Sequence, residues 1–371
     1  MKVTLFLNHR CNLRCAYCYT GRKFVRPMPL ETACRAVDLG IAHAQDGWLL
    51  LALFGGEPLM ELDLAEQVLA YASAQCQERK VRLFTALATN ATLVDDRWSE
   101  LMKAYRFHVQ VSLDGCRAAH DACRRFANGR SSFERTVAGL QKILAAGLSP
   151  WVSSVVDPAN VAHLSESFDF LLGLGANHLH FTPNYLAGWD EAARDRFEEA
   201  LEGLGDGYMA ATRAGREVRL DPLHGKIVTH LVPGSGEKVA CKFGKGDVAV
   251  APSGRLYPCE RLVGQDDRED LRVGDLERGL DEARVAGLLA HRAKPGPDCE
   301  GCELRPRCTW WCGCANFETS GDPGRVSPMV CYFERCFIAQ ADRVADALWA
   351  ERDPTFLKRF YARDRAPAQK A

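Results

Sequence analysis

Six short apolar runs, each followed by a stretch of helical periodicity or a turn, constrain this chain more than any other feature. The runs are "VTLFLN" (3–8), "LLLALF" (49–54), "VRLFTALAT" (81–89), "FHVQVSL" (107–113), "WVSSVV" (151–156) and "HLHFTP" (178–183). Between them lie segments such as "LETACRAVDLGIAHAQ", "DLAEQVLAYASAQCQER" and "FERTVAGLQKILAAG", with apolar residues at helical spacing. Strands separated by helices pair as parallel neighbours through crossovers. The expectation is an α/β fold, an open, partial βα barrel, because six strands fall short of a closed one. In such folds reactive groups collect on the loops that follow the strands. "CNLRCAYC" (11–18) directly follows the first run.

The chain has 371 residues, enough for about two domains. Its character changes near "HLVPGSGEKVA" (230–240), where Pro and Gly mark a boundary. Beyond it the chain is rich in Cys, Gly and Pro, then helical again in "MVCYFERCFIAQADRVADALWAERD". The expected parts are a barrel over 1–215, a linker over 216–240, a cysteine-rich domain over 241–345, and a C-terminal helix with a frayed tail over 346–371. With 47 basic against 48 acidic side chains, nothing marks a nucleic-acid or membrane-surface partner. The N-terminal apolar stretch is too short for a signal peptide, and no run is long enough to span a bilayer. A cytoplasmic location is expected. Disulfides are rare there, so metal binding explains the sixteen cysteines better.

The cysteines fall into two groups. Cys11, Cys15 and Cys18 stand alone, and three thiolates leave a fourth coordination position open. The second group holds Cys299-x2-Cys302-x5-Cys308-x3-Cys312, with Cys241 and Cys259 upstream and Cys331 downstream. Zinc suits paired cysteines. Seven thiolates are too many for one zinc ion and close to the need of two iron–sulfur clusters. Cys314 and Cys336 are spare candidates. Cys34, Cys76, Cys116 and Cys123 read as small buried hydrophobes.

"CNLRCAYC" matches the C-x3-C-x2-C signature of radical SAM enzymes, including the aromatic Tyr17 before the last cysteine. The C-terminal region resembles the SPASM domain: a cysteine, Gly254-x4-Cys259, the four-cysteine run and a final cysteine. The resemblance implies a partial (β/α)6 barrel with one catalytic 4Fe–4S cluster on Cys11, Cys15 and Cys18, and two auxiliary 4Fe–4S clusters. It implies S-adenosylmethionine on the fourth iron, reductively cleaved to a 5′-deoxyadenosyl radical that abstracts hydrogen from substrate. "FGGEPLM" looks like the family's GGEP segment, so Gly55, Gly56, Glu57 and Pro58 would cradle the methionine ammonium; otherwise Glu57 is a solvated loop carboxylate. "ATNATLVDD" resembles the T-N-G segment, with Asn90 as a contact and Ala91 where glycine is usual. Ser112 and Arg124 would meet the ribose or carboxylate, Arg125 being a rival for the second. Asn184 or Tyr185 would touch the adenosine. The pattern would give Cys299, Cys302, Cys308 and Cys331 to a distal cluster and Cys241, Cys259 and Cys312 to a proximal one. Glu260 is a candidate general base; its alternative is an ion pair with Arg261 or Arg255.

The expected function is modification of a ribosomally made peptide, by cross-linking or side-chain oxidation. The alternatives are formylglycine generation on a sulfatase, against which Glu260 stands where aspartate is usual, and a small-molecule dehydrogenase or epimerase. An iron–sulfur electron carrier leaves the cofactor-like loops unexplained. The cysteine motif begins at residue 11, so peptide recognition is expected from a separate protein or the barrel mouth. A flavodoxin or ferredoxin would donate electrons.

Overall fold

The computed structural model describes residues 1–232, 235, 241–292 and 296–361. The expected tail, 362–371, lies outside the described residues. In chain order the elements are β1 (Lys2–Phe6), α1 (Leu30–Ala42), β2 (Trp48–Phe54), α2 (Leu62–Glu78), β3 (Arg82–Thr89), α3 (Asp96–Ala104), β4 (His108–Ser112), α4 (Arg117–Cys123), α5 (Phe133–Ala145) and β5 (Trp151–Val156). There follow α6 (Leu164–Gly173), β6 (His178–Pro183), α7 (Glu191–Arg213), β7 (Arg219–Asp221), α8 (Leu223–Leu231), β8 (Asp247–Val250), β9 (Arg255–Tyr257), β10 (Gly274–Asp275), β11 (Gly279–Leu280), α9 (Glu282–Arg292), α10 (Gly313–Ser320), α11 (Pro328–Ala350) and α12 (Pro354–Tyr361). The six apolar runs are β1 to β6. They are parallel strands that alternate with helices, the α/β arrangement that the pattern predicted.

The chain divides into two compact units. The first comprises Met1–Ser112, Arg124–Pro150 and Cys241–His291. Its strands run in the order β11-β10-β9-β8-β1-β2-β3-β4. β1 lies parallel to β2, β2 to β3 and β3 to β4. The period-two pattern of "WLLLALF" buries Leu49, Leu51 and Leu53 completely. Helix α1 covers them with Ala33, Ala36, Val37 and Ile41. A Cβ on its Gly40 would sit 2.6 Å from Leu49 and 2.8 Å from Val3, so the helix packs this closely only with glycine there.

The segment expected to open the cysteine-rich domain extends this sheet. β8 pairs in parallel with β1, Thr4 opposite Ala249. β9, β10 and β11 follow antiparallel. The tight turn between β8 and β9 rests on Gly254, at φ 83°, whose N–H donates to Ala251 O. Burial of Val248, Val250, Leu256 and Tyr257 gives this hairpin an apolar core of its own.

The second unit comprises Leu113–Cys123, Trp151–Ala240 and Arg292–Ala371. β5, β6 and β7 are parallel neighbours. Helices α7 and α11 meet through Phe197, Phe333 and Phe337, edge to face with centroids 4.8 and 5.7 Å from Phe197. The first part of the expected linker, 216–240, carries β7 and α8. Of the rest, 233–234 and 236–240 lie outside the described residues. The expected break after residue 345 falls inside α11, whose heptad-like apolar face continues unbroken through Val344, Ala345 and Leu348.

Candidate functional site

The cysteine loop leaves β1 and is held against the loop after β2. Leu7 N donates to Phe54 O, Gly56 N to Asn8 O at 2.7 Å, and Glu57 N to Arg10 O at 2.9 Å. A Cβ on Gly56 would lie 2.1 Å from Arg10 O, and one on Gly55, at φ 137°, 2.6 Å from Asn8 O. Both glycines are therefore required by the approach of the cysteine loop. Pro58 opens the short 3-10 turn Pro58–Met60, capped by the Glu57 side chain.

Glu57 is only 1% exposed. Its carboxylate accepts from Leu59 N at 3.0 Å, Thr89 Oγ1 at 2.7 Å and Asn90 N at 2.8 Å. It thus ties the loop after β2 to the loop after β3. Asn90 extends the tie: its Nδ2 donates to Asn12 Oδ1 at 2.9 Å and reaches Cys11 Sγ at 3.9 Å, and its Oδ1 accepts from Thr92 Oγ1 at 2.7 Å. Asn12 Nδ2 closes the ring on Thr92 Oγ1 at 2.8 Å. Ala91 adopts the left-handed conformation, φ 59°, that its usual glycine would favour. Room for its carbonyl comes from Gly139 on α5, where a Cβ would lie 1.9 Å from Ala91 O.

Cys11, Cys15 and Cys18 are half-buried. Burial, then the charge of Glu57, pushes the Cys11 thiol up to about 12. At Cys18 burial acts in the same direction, but the Lys23 ammonium, 3.0 Å from Sγ, and Thr20 outweigh it and lower the thiol. Lys23 also donates to Thr20. Three thiols on one loop match, in kind and number, the ligands of an iron–sulfur cluster that keeps one position open.

Arg124 is buried and donates from NH1 to Tyr17 Oη at 2.8 Å. Arg125 points outward and reaches Gly129 O at 3.3 Å. Of the two arginines, Arg124 turns inward and its sequence rival Arg125 does not. Ser112 ends β4, half-buried. Asn184 Nδ2 is engaged by Asp157 at 2.8 Å, and the Tyr185 ring packs 5.9 Å from Phe333.

Cys241, Cys259 and Glu260 belong to the first unit, and Cys299 through Cys336 to the second. Glu260 pairs with Lys2 at 3.5 Å, whereas Arg255 pairs with Glu269 at 3.1 Å and Arg261 lies over the Tyr19 ring at 4.4 Å. Burial raises the Glu260 carboxyl, but Lys2, its own backbone N–H and Arg261 together bring it below the usual value. In the second unit the Cys299 thiol is raised by burial and then by the charges of Cys331 and Cys302. Cys308 is raised by burial and by Glu334. Cys314, buried in α10, lies 3.7 Å from Cys312, sulfur to sulfur. Cys336 is pushed up to about 11 by burial, against a hydrogen bond from Tyr332.

The sequence reading missed Asn12, Thr89, Thr92 and Lys23. Their only sequence signal is position: polar residues clustered in or just after the loops that carry Cys11 and Asn90.

Residues 5–171 match the radical SAM superfamily. The chain carries a radical SAM domain over those residues. It is 28% identical over 347 residues to PqqA peptide cyclase of Gluconobacter oxydans, covering 89% of this chain and 90% of that one. To the serine-type anaerobic sulfatase-maturating enzyme of Klebsiella aerogenes it is 25% identical, covering 81% and 76%. A 177-residue stretch is 29% identical to the uncharacterized protein MJ0907 of Methanocaldococcus jannaschii and spans 60% of that protein's length. The fold matches the solved structure of native anSMEcpe with bound AdoMet at TM-score 0.79 and 18% identity, over 94% of this chain and 99% of that one. A radical SAM domain implies a 4Fe–4S cluster and S-adenosylmethionine. Among the described residues no helix is long and apolar enough to cross a membrane.

Proposed function

We propose that this radical SAM enzyme modifies a ribosomally made peptide and carries three 4Fe–4S clusters. The observation that carries the reading is the likeness to PqqA peptide cyclase, which extends far beyond residues 5–171 to 89% of the chain. Cys11, Cys15 and Cys18 would hold the catalytic cluster and leave one iron for S-adenosylmethionine. Bound there, the cofactor supplies a 5′-deoxyadenosyl radical on one-electron reduction. Gly55 and Gly56 position the cysteine loop and, with Asn90, Ser112 and Arg124, would orient the cofactor. Glu57 fixes the Asn90 loop from behind, and the Lys23 ammonium beside Cys18 Sγ favours its thiolate form. Cys241, Cys259 and Cys312 would hold the proximal auxiliary cluster, with Cys314 the nearest candidate for its fourth place. Cys299, Cys302, Cys308 and Cys331 would hold the distal one. Glu260, paired with Lys2, fits an ionised anchor beside Cys259 better than a general base. The proposed partners are a precursor peptide, recognised by a separate protein or at the barrel mouth, and a flavodoxin- or ferredoxin-type donor, with the cytoplasm as the proposed location.

The test is anaerobic incubation of the reconstituted, reduced enzyme with S-adenosylmethionine and the small peptide encoded beside its gene. A mass change in the peptide together with 5′-deoxyadenosine is expected. 5′-Deoxyadenosine with unchanged peptide would refute peptide modification; its absence would refute the radical chemistry. The second reading, sulfatase maturation, is favoured by the likeness to the serine-type anaerobic sulfatase-maturating enzyme over 81% of the chain. It requires formylglycine to appear in a Ser- or Cys-containing sulfatase peptide.

A further inference from the structure

The loop after β4 and the start of α6 gather a trio that the radical SAM site does not use. One ligand atom each of Cys116, His163 and Glu166 all lie within 4.8 Å of one another, the one such trio among the described residues. His163 Nδ1 is 3.4 Å from Glu166 Oε2. The two residues are three apart at the first turn of α6, so they share one helix face. Their side chains are 38% and 66% exposed, which opens the site to solvent, while Cys116 is buried beneath them.

The thiol is held in place by its neighbours. Ser167 Oγ accepts from Cys116 N at 3.2 Å and donates to Cys116 Sγ at 3.7 Å. A Cβ on Gly115, at φ 115°, would lie 2.0 Å from Ser167 Cβ. Only glycine at residue 115 brings the cysteine this close to α6.

We propose that Cys116, His163 and Glu166 form a site for one divalent zinc-class ion, with water as fourth ligand. Thiolate, imidazole and carboxylate are each zinc ligands, and a thiolate–imidazole pair disfavours magnesium and calcium. Tetrahedral zinc sets its ligand atoms roughly 3.5 Å apart, so small rotations of the two exposed side chains complete the site. Binding releases the Cys116 proton to solvent. The Ser167 hydroxyl supplies the outer-shell hydrogen bond that orients the sulfur. The ion cross-links the loop before α4 to the start of α6 within the second unit.

The test is anaerobic dialysis of the full-length, cluster-loaded enzyme against micromolar zinc chloride, followed by zinc analysis and zinc K-edge absorption. One zinc per chain is expected, in a shell of one sulfur and three nitrogen or oxygen atoms. His163→Gln and Glu166→Gln, both at exposed positions, should each weaken binding at least about tenfold, and Ser167→Ala by roughly 10–100-fold. No zinc on the parent enzyme, equal zinc on His163→Gln, or a sulfur-rich shell would overturn the proposal; the last would trace the zinc to vacant cluster cysteines.

Discussion

Gly139→Ala sets two effects of known sign against each other. Gly139 lies inside α5, where alanine is intrinsically favoured by about 1 kcal/mol. The added methyl would sit 1.9 Å from Ala91 O, 2.8 Å from Ala91 C and 3.0 Å from Ala91 Cβ. The obstacle is buried backbone that no rotamer change can move aside. Overpacking of this kind costs about 1–3 kcal/mol, occasionally more. The net expectation is destabilisation of about 0–2 kcal/mol, a fall of roughly 2–4 °C in Tm per kcal/mol for a unit of this size. The displaced segment carries Asn90, so Glu57 and the Asn12–Thr92 ring lose their register, and S-adenosylmethionine should bind more weakly. Gly287→Ala is the control: it lies in α9 with nothing within 4 Å of the new methyl, and should stabilise by about 0.5–1 kcal/mol. Thermal unfolding of the two cluster-loaded variants in parallel checks the argument. If Gly139→Ala is as stable as Gly287→Ala, the close approach of α5 to the Asn90 loop is wrong.

Four further outcomes follow from the structure. Glu57→Gln removes the charge from a buried acceptor of three hydrogen bonds, and should cost about 1.5–3 kcal/mol in denaturant unfolding and weaken S-adenosylmethionine binding. Lys23→Met takes away the cation that lowers the Cys18 thiol, so iodoacetamide labelling of Cys18 in the cluster-free protein near neutral pH should slow, as read by peptide mass mapping. Lys226→Met leaves Glu334 buried without its ammonium partner, 2.6 Å away in the native fold, and should destabilise by about 3–5 kcal/mol; adding Glu334→Leu should recover part of this, limited by the lost bonds from Thr309. His180 is held below its usual 6.5 by burial. The unfolded chain therefore takes up the proton first, so stability is full above pH 6.5 and declines as pH falls below it; the Tm difference between pH 7.5 and 5.5 should shrink in His180→Asn.

The sequence by itself determined the six strands, because each run pairs a period-two or continuous apolar pattern with a helix or turn that forces parallel pairing. It also determined the cysteine loop, since C-x3-C-x2-C after a first strand is local chemistry on a local scaffold. What only the tertiary structure decided involves residues distant in the chain. That Arg124 rather than Arg125 turns inward depends on Tyr17, 107 positions away. That Glu260 meets Lys2 rather than Arg255 depends on β8 pairing with β1, a contact between strands some 245 residues apart that no local pattern encodes. The same pairing makes the segment that carries Cys241 and Cys259 part of the unit built on the first strands. Ala91 in place of glycine was visible in the sequence as a departure; only the packing of Gly139 against its carbonyl shows how the fold accommodates it. Backbone close approach and charge pairing depend on three-dimensional distance, and one-dimensional spacing carries that information only where the chain folds back on itself at once.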